Sequence, residues 1–130
     1  LGTDRPLVAK IERREAMQNL EAIAGEADGM MAARGDLAPE IGRLNIGEAQ
    51  RAIVRAANDA GIWSIVATDV FDSMVEQSVP SRSDVDSLYG IIADQRADAV
   101  MLGQPVTYGS HPVETVKKAS SVMELASGSD

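Results

Sequence analysis

The sequence predicts an α/β fold, a parallel (βα)4 unit forming a single domain over residues 1–130. Three observations predict it. Four short apolar runs alternate with longer amphipathic stretches, the pattern of parallel strands joined by right-handed helical crossovers. Apolar residues reach 45% of the chain while aromatics make up only 3%. A core of Ala, Val, Ile, Leu and Met suits parallel strands covered by helices. The length of 130 residues supports one real core, but falls short of the roughly 250 residues of a complete (β/α)8 barrel.

The elements follow in order. Leu7-Val8-Ala9-Lys10-Ile11 reads as the first strand. Arg14 to Ala24 is a helical stretch with Ala16, Leu20 and Ile23 on one side, stopped near Gly25. Gly29-Met30-Met31-Ala32-Ala33 is the second strand, and Gly and Pro mark Arg34 to Pro39 as a loop. Asn45 is a candidate N-cap for a helix through Gln50, Ile53, Val54 and Ala57 that ends before Gly61. The third strand is Ile62 to Ala67, followed by a short helical turn from Val70 to Glu76. Pro80-Ser81-Arg82-Ser83 leads into a helix from about Asp84 to Gln95, and Ala99 to Leu102 is the fourth strand. After a turn-rich loop from Gly103 to Ser110, Pro112 occupies the first turn of a last helix ending near Ala126.

Bulk chemistry narrows the function. Twenty acidic against 12 basic side chains give a formal charge of −8, which argues against nucleic acid, because phosphate backbones need a basic face. A small phosphorylated ligand held by metal and backbone stays open. With no cysteine there is no disulfide and no thiolate metal site. No apolar run approaches the roughly 20 residues of a membrane span, and Leu1 to Pro6 lacks a secretory core. A cytoplasmic location without membrane contact is the expectation. Leu1 is not an initiator Met, so a piece of something longer is expected.

In a parallel barrel, chemistry sits at the C-terminal ends of the strands. The first strand ends in Lys10 and Glu12, two apart and so on one face. Burying both is costly unless they are paired or bound to something. They are either a buried ion pair or a cation beside a metal ligand. The second strand ends in Ala33-Arg34-Gly35-Asp36, where Gly35 lets backbone approach a ligand. Asp36 then stands near Glu12, and two carboxylates on adjacent strand ends suit a hard cation such as Mg2+. An isolated Gly-Asp is otherwise an ordinary turn. Thr68 ends the third strand, where a helix cap is its ordinary job. His111 receives no role, and Arg13-Arg14 reads as a solvated helix start.

Taken together, these strand ends resemble the pyruvate kinase family. Lys10-Ile11-Glu12 is similar to the family's KIE strand, and Asp28 to Leu37 to its DGIMVARGDL stretch. Ala67 to Met74 resembles ATQMLESM, Pro80-Ser81-Arg82 resembles PTR, and Ala97 to Leu102 resembles ADCIML. Order and spacing agree from about Leu7 to Leu125. The resemblance implies a fold, the C-terminal half of a TIM-type barrel. It also implies roles. Lys10 would stabilise charge on the transferring phosphoryl group and the enolate. Glu12 and Asp36 would hold Mg2+ or Mn2+. The backbone at Ala33, Arg34 and Gly35 would hold the carboxylate of phosphoenolpyruvate or pyruvate. Thr68 would stand near the substrate and help protonate the enolate. Such chemistry is phosphoryl transfer by positioning and charge neutralisation.

Departures from the family pattern bound that expectation. Gly103-Gln104-Pro105-Val106-Thr107 stands where the family has SGETA, so hydroxyl and carboxylate groups are lost from the rim. Ser83-Asp84 stands for AE, and one extra residue appears near Gln95-Arg96. The chain starts at what would be strand five. The phosphate-binding arginine, the K+ ligands, the lid domain and the regulatory domain of the family lie outside it. Transfer of phosphate to ADP is therefore expected only with an N-terminal half-barrel supplied. Two alternatives stand beside this: a catalytically inactive binding or assembly module, and a metal-dependent lyase or aldolase acting on acids that form pyruvate enolate. An isolated half-barrel leaves sheet edges and apolar surface uncovered, so a homo-oligomer is the expected partner state.

Overall fold

In a computed structural model, residues 5–67 and 69–128 are described. Four strands form one sheet in the order β1-β2-β3-β4: β1 Val8–Ile11, β2 Gly29–Ala33, β3 Trp63–Ala67 and β4 Ala99–Met101. β1 pairs β2 and β2 pairs β3 in parallel, with Lys10 opposite Met31 and Ala33 opposite Ala67. Seven α-helices accompany them among the described residues: α1 Arg14–Met17, α2 Leu20–Glu26, α3 Arg34–Ile41, α4 Ile46–Ala60, α5 Arg82–Ala93, α6 Gln104–Thr107 and α7 Pro112–Ala126. The class is parallel α/β, as the alternation of apolar runs predicts.

The chain divides into two compact units. The first runs to Ala67 and takes in Ala97–Val100. Its sheet has two unlike faces. Met30, Ala32, Ser64 and Val66 are fully buried, packed with α4, which is apolar along Ala49, Ile53, Val54 and Ala57. Val8, Lys10, Met31, Trp63 and Ile65 alternate onto the other face and keep solvent contact. Gly29 fits that face because a Cβ there would lie 3.1 Å from the Trp63 Cβ. Gly61, at φ 71, closes α4 in the left-handed region that a side chain resists.

The second unit holds residues 69–96 and 101–128 of the described chain. Leu88, Ile91 and Ile92 of α5 are buried with Thr115, Ala119 and Ala126 of α7. Ser81 caps α5 by accepting from the Asp84 amide at 3.1 Å. The Asp84 carboxylate in turn accepts the Ser73 amide at 2.9 Å and the Ser73 hydroxyl. That network anchors the 3-10 turn Asp72–Val75.

The structure departs from the sequence expectation in four places. The stretch Arg14 to Ala24 is two helices, α1 and α2, because the Asn19 carboxamide donates to the Glu15 carbonyl and competes with the helix ladder. Arg34 to Pro39 is not a loop but most of α3. Pro39 sits two residues from the helix end, where losing one ladder bond is tolerated. Asn45 precedes α4 but does not cap it; its carboxamide donates back to the Ile41 carbonyl at 2.7 Å. Gly103 to Ser110 contains the short helix α6, with Pro105 in its first turn and Val106 buried.

Candidate functional site

The site is built in the first unit, at the C-terminal ends of β1 and β2. Lys10 is the third residue of β1 and Glu12 follows the strand's last residue. Their spacing puts both side chains on the open face of the sheet. β2 runs straight into α3 with no intervening loop, so Asp36 lies in the first turn of that helix. The Lys10 ammonium is 3.5 Å from a Glu12 carboxylate oxygen and 3.9 Å from one of Asp36. One cation thus bridges carboxylates from two neighbouring strand ends.

Exposure decides what this cluster is for. The side chains of Lys10, Glu12 and Asp36 are 53%, 38% and 62% exposed. Ion pairs this wet contribute about 0–1 kcal/mol to stability. The sequence alternative of a buried Lys–Glu staple is therefore replaced by an accessible cluster. A cleft of about 310 Å³ opens beside it, lined by Lys10, Glu12, Arg13, Glu15 and Ala16.

Among the described residues no three His, Cys, Asp or Glu side chains group together as metal ligands. Glu12 and Asp36, both beside the Lys10 ammonium, are the carboxylates here that could hold a hard divalent cation, with the other positions left to water and ligand oxygens. Mg2+ is commonly held in this way, by one or two carboxylates plus a substrate's own oxygens. Beside them, the first turn of α3 carries Gly35 and Asp36, both exposed. Backbone amides at a helix start favour anionic groups.

The remaining sequence-predicted positions fall as follows. Ala33 is 1% exposed at the end of β2, directly before α3. Arg34 begins that helix. Its side chain is half-buried and turned into the protein: Nε donates to the Ala67 carbonyl at 3.2 Å and a terminal nitrogen donates to Gln50 Oε1 at 3.2 Å. Thr68 lies outside the described residues. Asp69 and Phe71, just after it, have φ of 56° and 58°, with Val70 and Phe71 buried. Sequence reasoning missed three features. Arg13 stands exposed at the start of α1, as a solvated helix start predicts, but it also lines the cleft, with its Nε 3.9 Å from Glu15. Arg14 is engaged with Glu40, donating its amide to the carboxylate at 3.2 Å and its guanidinium to the carbonyl. Sequence reasoning also gave no role to Gln50, whose position on the buried face of α4 was the available signal.

The family model described as pyruvate kinase, barrel domain, matches residues 2–116. The chain is 40% identical over 123 residues to a pyruvate kinase of Methanocaldococcus jannaschii, covering 95% of this chain and 27% of that one. A pyruvate kinase of Thermoplasma acidophilum is 37% identical over 95% of this chain and 22% of its own length. One of Agrobacterium vitis is 39% identical over 95% of this chain and 26% of its own. The chain spans about a quarter of the length of these curated relatives. A barrel-domain model matched over most of the chain, together with relatives 37–40% identical over 95% of it, leaves one conclusion: the chain belongs to the pyruvate kinase family.

Proposed function

We propose that the chain forms a divalent-cation and phosphoenolpyruvate or pyruvate site for phosphoryl transfer to ADP, working with an N-terminal half-barrel. The observation that carries this reading is the bridge from Lys10 to Glu12 and Asp36 at two adjacent strand ends. Glu12 and Asp36 would hold Mg2+ or Mn2+. When bound, such a cation supplies charge neutralisation and polarisation at the ligand's oxygens. The Lys10 ammonium donates to the phosphoryl or enolate oxygen as negative charge gathers there. The backbone from Ala33 to Gly35 receives the carboxylate at the start of α3. Thr68 would help protonate the enolate, as the family resemblance implies.

The direct test is complementation. Adding the N-terminal half of a pyruvate kinase barrel is expected to give phosphotransfer from phosphoenolpyruvate to ADP, lost in Lys10→Ala. Transfer that persists in Lys10→Ala would contradict the role of Lys10. The replacement of rim hydroxyl and carboxylate groups by Gly103, Pro105 and Val106 favours a second reading, a binding or assembly module without turnover. Oxalate binding without phosphotransfer in the complemented protein would select it.

A further inference from the structure

Resting on the cation-and-acid reading above, we propose that the Arg34 side chain is a positioning residue, held by Gln50, and that it aims the first turn of α3 at the ligand. An arginine beside an anion site is ordinarily assigned to the anion. Here the guanidinium turns inward instead. Among its interactions are hydrogen bonds to the Ala67 carbonyl and to Gln50 Oε1, both half-buried. Ala33 and Ala67 are paired across β2 and β3. Arg34 follows directly, so its bond to Ala67 extends the strand pairing by a side chain at the point where β2 becomes α3.

Gln50 accepts this bond from within an apolar helix face. It is 5% exposed on a helix face otherwise made of Ala49, Ile53, Val54 and Ala57. A carboxamide buried there costs stability unless it is hydrogen-bonded. The pair Arg34–Gln50 therefore joins α4, the end of β3 and the start of α3. That last element carries Gly35 and Asp36. Groups that orient a ligand shell without touching the ligand typically cost 10–100-fold in affinity when removed.

The experiment compares the full chain with Arg34→Lys, Arg34→Met, Gln50→Leu and the double variant Arg34→Met/Gln50→Leu. Circular dichroism checks that each is folded. Two readouts follow: oxalate affinity at saturating Mn2+, and amide hydrogen exchange of residues 34–37 with α7 as the reference. The expected result is oxalate affinity about tenfold weaker in every variant, with the double no worse than either Met or Leu alone. Exchange at residues 34–37 should rise in step, and Arg34→Lys should not rescue either readout because it lacks the planar fork. If Arg34→Lys retains affinity while Gln50→Leu is silent, the charge acts on the ligand and the proposal is overturned. Unchanged exchange at residues 34–37 also overturns it, whether or not oxalate binds. Faster exchange with unaltered oxalate affinity removes its functional half. Failure of the unaltered chain to bind oxalate sinks the site reading itself, and the exchange data still decide whether Arg34 and Gln50 hold the turn.

Discussion

Three side chains carry the functional reading, and their geometry was legible in the sequence in part. Lys10 and Glu12 are two apart on a strand, and strand alternation alone puts them on one face. Asp36 was harder, because the Gly-Asp pair reads as a turn and its distance from Glu12 depends on the β1–β2 register. The side-chain direction of Arg34 was not legible at all. Nothing local tells whether a guanidinium faces a ligand or a carbonyl on the next strand. Since the cluster is exposed, its substitutions should affect binding far more than stability. Asp36→Ala is expected to shift the unfolding free energy by less than about 1 kcal/mol. Thermal melts would check it, and a loss of several kcal/mol would mark the carboxylate as structural.

At the scale of elements, apolar periodicity predicted every strand and both long helices, α4 and α7, within a residue or two. The misses run in both directions. Asn19 breaks a stretch that reads as one helix, whereas Gly and Pro mark Arg34 to Pro39 as a loop, yet Arg34–Ile41 is helical. Tertiary packing of Leu37, buried at 1%, outweighs those local signals. Two stability expectations belong here. Ile53→Ala empties a fully buried position on α4 and should cost about 2–5 kcal/mol in denaturant melts. Gly109→Ala would bring a Cβ to 2.7 Å from the Val75 carbonyl oxygen, a backbone clash that no rotamer relieves. About 1–3 kcal/mol of destabilisation is expected from such overpacking, and a neutral result would refute the close approach of those segments.

For the whole molecule, the family match covers most of this chain and about a quarter of its relatives. Among the described residues no helix is long and apolar enough to cross a membrane. The first unit leaves Trp63 66% and Val8 37% exposed on its open sheet face. Apolar surface of that kind favours association with a second copy or a complementing half-barrel. Light scattering at micromolar concentration should therefore give a mass above that of one 13.7 kDa chain. A monodisperse monomer would count against the homo-oligomer.

The most direct measurement is Mn2+ binding followed by electron paramagnetic resonance, with and without oxalate, in the unaltered chain and in Glu12→Gln and Asp36→Asn. The expected result is one Mn2+ per chain, tightened by oxalate, with affinity at least about tenfold weaker in each variant. Equal affinity in all three proteins, or no bound Mn2+ in the unaltered chain, would contradict a cation site at the ends of β1 and β2.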